Sequence, residues 1–164
     1  MKRAQIDAFC GCRETLYQHI VFFAAPAILL AGIVYVAVRY AQLPAEIPSH
    51  YNFYGEIDGY GSRGTLWITP VIGILCDALM LAVSFFPQTW NVGTSVTVFN
   101  RALVYRRVRD LIADIRLSTA VMFTAIAVWQ TALAPTFPWG MGVLIGVCCT
   151  APLVRFFVRL AMKK

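Results

Sequence analysis

Charged side chains are scarce in this sequence. Asp, Glu, Lys and Arg together make up 13% of its 164 residues, whereas hydrophobic residues make up 59% and the mean hydropathy is +0.67. A soluble domain has roughly half apolar and a quarter charged residues. The lack of charge therefore excludes an ordinary soluble domain and indicates an integral membrane protein, whose first partner is the lipid bilayer.

Cysteines and histidines are too few, and too poorly spaced, for a disulfide framework or an ordinary zinc site. The five cysteines are an odd number, and Cys76, Cys148 and Cys149 lie inside apolar runs, where a thiol behaves as a small hydrophobic group. Cys10 and Cys12 are separated by one residue rather than by the two of a CxxC motif. We expect free thiols and no resident cofactor, and a metal is left open only in the polar loop described below.

Four apolar runs are each about as long as a bilayer crossing requires. They cover about 19–38, 66–86, 117–134 and 139–157, and a hydrocarbon core about 30 Å thick takes roughly 20 helical residues. Because backbone groups inside lipid must be satisfied within the segment, we expect all four to be helices. The sequence predicts an all-α, four-span protein with a single membrane domain over 1–164, an outer loop at 39–65 and an inner connection at 87–116.

The basic residues predict which side of the membrane each end occupies. With four spans, both termini and the connection at 87–116 share one side, and that side holds all but two of the 14 Lys and Arg residues. The two exceptions are Arg39 and Arg63. By the positive-inside rule the termini are expected to be cytoplasmic and the loop at 39–65 to face outward. The basic residues on the inner side are Lys2, Arg3, Arg13, Arg101, Arg106, Arg107, Arg109, Arg116, Arg155, Arg159, Lys163 and Lys164.

The inner connection carries an amphipathic pattern. Apolar residues Val104, Val108, Leu111 and Ile115 recur at helical spacing, and arginines occupy much of the remaining surface. This pattern predicts a basic helix that lies on the inner leaflet or leads directly into the third span. Anionic inner-leaflet lipids or a cytoplasmic partner are the expected contacts, and nucleic acid is not expected, because the charges flank apolar runs.

The long polar segment of the chain resembles a known family. It reads LPxxIPxHxNxxGxxDxxxS(R/K), filled by Leu43, Pro44, Ile47, Pro48, His50, Asn52, Gly55, Asp58, Ser62 and Arg63. This pattern resembles the loop of a bacterial membrane domain of unknown function that also occurs at the start of SdpI-type immunity proteins. The resemblance implies a multi-pass protein of the bacterial cytoplasmic membrane that protects a cell from a secreted peptide toxin, or signals its presence to a regulator.

The same loop supplies the candidate ligand-binding residues. Its X-Pro steps favour extended backbone, and its glycines permit tight turns, so we expect a compact lid with its aromatic residues packed on the bundle. A non-enzymatic protein would use this lid to recognise a peptide or lipid ligand. The residues expected to do so are His50, Asn52, Tyr54, Asp58, Tyr60 and Arg63.

Two other interpretations of the loop remain open. His50 and Asp58 could ligate a metal in a metal-assisted enzyme at the membrane interface, although a typical zinc site has more histidines or thiolates. Alternatively, His50 and Asp58 hydrogen-bond each other and Arg63 pairs with Glu56 or Asp58, so that the cluster only holds the shape of the lid.

Two polar residues lie within the predicted spans. Asp77 interrupts the second span and Gln130 lies in the third, and a carboxylate inside a membrane is costly unless it is protonated or paired. The candidate partners of Asp77 are Gln130, Thr131 and His19. Asp77 could donate a packing hydrogen bond or serve a small transporter or accessory subunit as a proton or ion relay.

Overall fold

A computed structural model describes residues 2–92 and 95–162 of the chain. It is mostly helical, and four of its helices are long and apolar enough to cross a membrane. The chain is therefore a polytopic membrane protein. The helices are α1 (Arg3–Cys10), α2 (Leu16–Tyr40), α3 (Ile68–Ser84), α4 (Arg101–Gln130) and α5 (Trp139–Ala161).

The segment between α2 and α3 forms a β-hairpin, so the expectation of an all-α fold was wrong. Strands β1 (Glu46–Tyr51) and β2 (Ile57–Ser62) pair antiparallel. Glycines allow the strands to approach closely: a Cβ on Gly59 would lie 3.1 Å from the Cβ of His50, and one on Gly61 would lie 3.2 Å from the Cβ of Ser49. The X-Pro steps and these glycines account for extended chain in place of helix.

Helix α4 is continuous through the predicted inner connection and the third span. Its 30 residues begin at Arg101 and contain neither proline nor glycine, so nothing in the sequence interrupts the helix where its polar part meets its apolar part. The amphipathic segment thus leads directly into the span. Of the predicted connection at 87–116, only the part before Arg101 lies outside this helix.

The polar half of α4 forms side-chain contacts with α1, α2, α3 and α5. Arg109 Nη1 lies 2.8 Å from Asp7 Oδ1 on α1. Asp110 accepts a hydrogen bond from Gln18 Nε2 on α2 at 2.7 Å and pairs with Arg159 of α5 at 2.5 Å. Further along α4, the carboxylate of Asp114 accepts hydrogen bonds from Tyr17 of α2 and Arg155 of α5. Arg116 forms an ion pair with Asp77 of α3. Arg109 and Arg116 therefore face the bundle, whereas Arg106 remains exposed.

The bundle has two distinct ends. At the termini end, α1 and the start of α4 enclose a small core of Ile6, Cys10 and Cys12, and Arg107 Nη2 donates to Met162 O at 3.2 Å. At the hairpin end lie the β-hairpin and the short connection from α4 to α5. Lys163 and Lys164, which were counted in the charge argument, lie outside the described residues.

Candidate functional site

Apolar residues on both sides of the hairpin fix it to the bundle. Leu43 and Ile47 are buried in a core cluster that includes Leu66 just before α3, Val36 of α2 and Ala127 of α4. Pro44 and Pro48 disfavour helical backbone at Leu43 and Ile47, the residues that directly precede them. The hairpin is thus a fixed part of the bundle end rather than a loose link.

Tyr51, at the end of β1, makes a second attachment. Its hydroxyl donates to Ala134 O at 2.9 Å, and its ring centroid lies 5.1 Å from that of Trp129 and 6.1 Å from that of Phe137. Burial raises the pKa of its phenol, and the neighbouring Tyr60 adds to the shift. Tyr51 therefore couples the hairpin to the connection between α4 and α5.

Asn52 shapes the hairpin turn. Its side-chain oxygen accepts hydrogen bonds from the backbone N–H of Tyr54 at 2.9 Å and of Glu56 at 3.0 Å, which is the way Asn commonly stabilises a turn. Gly55 then adopts a φ of +81°, and its carbonyl accepts from Phe137 N at 2.7 Å. In this structure the Asn52 oxygen, predicted to bind ligand, serves the turn.

One face of the hairpin presents an imidazole–carboxylate pair and an aromatic ring to solvent. His50 Nδ1 lies 2.5 Å from Asp58 Oδ1, and the two side chains are 72% and 42% exposed. Tyr60, two residues after Asp58 on the same strand face, is 67% exposed. We call His50, Asp58 and Tyr60 the hairpin face. The predicted hydrogen bond between His50 and Asp58 is present. Both side chains are exposed and therefore accessible to a ligand.

The aromatic residues of the hairpin tip are exposed, contrary to the expectation that they pack on the bundle. Phe53 is 99% exposed and Tyr54 is 83% exposed, and their ring centroids lie 5.9 Å apart. Tyr51 is the aromatic of this segment that packs against the bundle. The difference follows from the turn, since residues between the strands project beyond the surface that the strands cover. The tip therefore offers apolar area beside the hairpin face.

Arg63 supports the base of the hairpin. Its Nη1 donates to Leu43 O at 3.2 Å, and its guanidinium carbon lies 4.9 Å from the ring centroid of Tyr40. The structure thus gives Arg63 partners other than Glu56 and Asp58, the pairings expected from the sequence. Arg63 therefore links the end of α2 to the base of the hairpin.

The residues of the hairpin face offer few donors for a metal. Across 2–92 and 95–162, no three His, Cys, Asp or Glu side chains form a group that could hold a metal ion. His50 and Asp58 supply two donors, whereas a catalytic zinc takes three protein ligands.

Asp77 has a partner that sequence reasoning missed. Arg116 Nε donates to Asp77 Oδ1 at 2.8 Å and Arg116 Nη2 donates to Asp77 Oδ2 at 3.1 Å. The predicted partner Gln130 instead accepts from Thr69 Oγ1 at 2.9 Å. The sequence did contain a signal for this pairing, because Arg116 directly precedes the third apolar run. A helix that continues from the polar segment into that run carries the guanidinium into the bundle.

Comparisons with known proteins extend the sequence evidence. A family model described as a domain of unknown function (DUF1648) matches residues 27–74, which span most of α2, the hairpin and the start of α3. An uncharacterized protein of Archaeoglobus fulgidus is 25% identical over 145 residues, covering 79% of each chain. No solved structure matches the chain. These findings support a membrane domain of unknown function, and they place one similar protein in an archaeon.

Proposed function

We propose that this chain is a non-enzymatic membrane protein whose hairpin face binds a peptide that arrives from outside the cell. In this proposal the termini are cytoplasmic, the hairpin faces outward and the membrane is the bacterial cytoplasmic membrane. Binding serves immunity against a secreted peptide or signals its presence, as the resemblance of the loop to SdpI-type immunity proteins implies.

The observation that carries the proposal is the solvent-exposed His50–Asp58 pair on a hairpin that is fixed at its base. The imidazole and the carboxylate lie in hydrogen-bond contact and remain 72% and 42% exposed. Recognition surfaces commonly combine rigid aromatic side chains with a few placed polar groups. Here Tyr60 lies beside the pair, and Phe53 and Tyr54 extend the apolar area at the tip.

The fixed base supports recognition for an energetic reason. Association costs the entropy of every segment that must be ordered, so a surface ordered in advance binds more tightly than a flexible loop with the same residues. Ile47 is 2% exposed and Leu66 is fully buried, and Tyr51 holds the far end of β1 to Ala134. A peptide would therefore meet a preformed surface.

Neither rival interpretation gains comparable support. A metal-assisted enzyme would have two donors at the hairpin face, His50 and Asp58, where a catalytic zinc takes three protein ligands. A transporter that uses Asp77 as a relay would first have to release the carboxylate from its bidentate pair with Arg116. The recognition proposal requires no such rearrangement.

Challenge of living cells with secreted peptides tests the proposal. Cells carrying the parent chain, His50→Ala or Asp58→Ala are exposed to the peptides secreted by the strain that encodes the chain. We expect both variants to lower survival at matched amounts of protein in the membrane, since each removes one partner of the exposed pair. Reporter induction in the same cells measures the signalling form of the proposal.

Glu46→Ala provides the matched control. Glu46 is an exposed carboxylate at the first residue of β1, opposite Ser62 and at the base of the hairpin. Its removal changes the charge of the hairpin as Asp58→Ala does, but leaves the hairpin face intact. Equal survival and equal reporter signal for the parent, His50→Ala and Asp58→Ala would contradict the proposal.

A further inference from the structure

A cavity of about 80 Å³ lies at the termini end of the bundle, between α1, α2, α3 and α4. It is separate from the hairpin face, which lies at the opposite end. Seven of the twelve residues that line it have charged or polar side chains, although it extends between membrane-spanning helices. The lining residues are Arg3, Ile6, Asp7, Glu14, Gln18, Phe22, Ser84, Phe85, Arg109, Ile112, Ala113 and Arg116.

Two ion pairs of the lining differ in their exposure to solvent. Near the termini end, the side chains of Arg3 and Glu14 are 44% and 30% exposed and form an ion pair at 3.3 Å. Deeper in the bundle, Arg116 retains 5% exposure and pairs with Asp77. The cavity therefore runs from an open, charged mouth to the buried ion pair between α3 and α4.

The size of the cavity and the hydrogen-bonding groups in its wall suit water. A cavity needs at least about 10–15 Å³ to hold one water molecule, so this one has room for several. It also supplies hydrogen-bonding groups in addition to space. Among the contacts of the described residues, the bond to Asp77 uses Nε and Nη2 of Arg116, and the Nη1 group keeps its two hydrogens for a water molecule.

The layer of the bundle next to Arg116 is apolar. A core cluster of Val21, Ala25, Leu29 and Ala120, with Ala113 at its edge, occupies the next layer between α2 and α4. Gly73 of α3 lies so close to this layer that a Cβ there would be 2.9 Å from Phe123 and 3.0 Å from Leu29. Between α2, α3 and α4, this packing leaves no room for a column of water toward the hairpin end.

We propose that the cavity is a water-filled vestibule that opens only at the termini end and admits water and small hydrophilic solutes as far as the Arg116–Asp77 pair. Hydration from the vestibule offsets part of the cost of holding two charges inside a membrane protein. The pair forms the floor of the vestibule, and the apolar layer behind it seals the bundle.

Two alanines on one face of α4 provide the test. Ala113 lines the cavity, whereas Ala120, seven residues further along, lies in the apolar layer; both are buried, at 6% and 0% exposure. Ala113→Cys and Ala120→Cys are treated in sealed vesicles of either orientation with 2-sulfonatoethyl methanethiosulfonate, a charged reagent that does not cross bilayers. Mass spectrometry of the modified peptides separates each new thiol from the five native cysteines.

We expect Ala113→Cys to react about tenfold faster than Ala120→Cys, because thiol modification requires access to water. It should react only in vesicles that expose the termini end, as reported by Gln88→Cys in the exposed connection between α3 and α4. Ser84→Cys, a nearly isosteric change in the cavity wall, should react at a rate similar to that of Ala113→Cys and in the same vesicles. Unaltered elution of each variant in detergent establishes that it folds.

Two outcomes would overturn the vestibule. If Ala113→Cys and Ser84→Cys are as unreactive as Ala120→Cys, the cavity is dry. If they react equally in vesicles of both orientations, the path is not closed at the ion pair. Because none of these variants touches the hairpin, the result is independent of peptide recognition.

Discussion

Arg116 of α4 and Asp77 of α3 form a bidentate ion pair inside the helix bundle, with Nε···Oδ1 and Nη2···Oδ2 distances of 2.8 and 3.1 Å. Both side chains are less than a tenth exposed. The planar guanidinium matches the carboxylate, and each partner compensates the charge of the other. The pair fixes the register of α3 against α4 at the level where the polar half of α4 becomes apolar.

Removing one partner of this pair should destabilise the protein strongly. Asp77→Ala or Arg116→Ala leaves an uncompensated charge in the bundle, and the expected loss is about 3–5 kcal/mol in the free energy of unfolding. Denaturation of the detergent-solubilised protein by sodium dodecyl sulfate measures it.

The double variant Asp77→Leu/Arg116→Met tests whether the loss of stability in the single variants comes from an unpaired charge or from lost packing. It removes both charges and keeps apolar volume, so we expect stability near that of the parent. A double variant that is as unstable as the two single variants combined would show that the pair stabilises the bundle through packing alone.

Tyr51→Phe should loosen the hairpin without unfolding the bundle. The change deletes the hydrogen bond to Ala134 O, which at the usual net value contributes about 1 kcal/mol. Hydrogen exchange of the amides in β1 and β2 should speed up, while exchange in α4 stays unchanged. Tyr60→Phe, at an exposed ring, serves as the matched control, and equal exchange in the two variants would contradict the anchoring role.

The phenol of Tyr51 should ionise only above the ordinary pKa of tyrosine, which is about 10. Burial raises its pKa in the folded protein. A raised pKa of an acid means that its contribution to stability is present below the unfolded value and is lost as pH rises through the folded value. The ultraviolet absorbance of the phenolate, measured as the difference between the parent and Tyr51→Phe, checks this. A difference that appears at the ordinary pH would refute it.

Alanine substitution at two glycines should have opposite effects on stability. In Gly73→Ala, the new methyl lies 2.9 Å from the Cβ of Phe123, and such overpacking typically costs about 1–3 kcal/mol. In Gly146→Ala, the methyl meets no heavy atom within 4 Å among the described residues, so helix propensity favours the variant slightly. Thermal denaturation of both variants in one detergent measures the contrast; equal melting temperatures would contradict it.

The sequence predicted the parts of this fold that depend on local composition. Four long apolar helices follow from the length and hydropathy of their runs, as expected. The continuity of α4 was one of two alternatives left open by the amphipathic pattern. The absence of proline and glycine from Arg101 to Gln130 is the local feature that could have decided between them.

What the sequence did not predict depends on contacts between distant residues. The hairpin was expected only as a compact lid, because its strands are short and their pairing relies on glycines that lie against the side chains of His50 and Ser49. The partner of Asp77 was missed because Arg116, 39 positions away, was assigned to the inner surface. Within the candidate site, the His50–Asp58 contact was foreseen as one of several possibilities, while the exposure of Phe53 and Tyr54 was not.

Site-specific photocrosslinking at the hairpin face tests the central proposal most directly. A photoreactive phenylalanine analogue replaces Tyr60 or, as the control, Tyr35, an exposed tyrosine within the α2 span. Cells are irradiated together with the peptides secreted by the strain that encodes the chain. We predict a crosslinked secreted peptide at position 60, identified by mass spectrometry, and its absence at position 35. Crosslinks to lipid alone at both positions would contradict peptide recognition by the hairpin face.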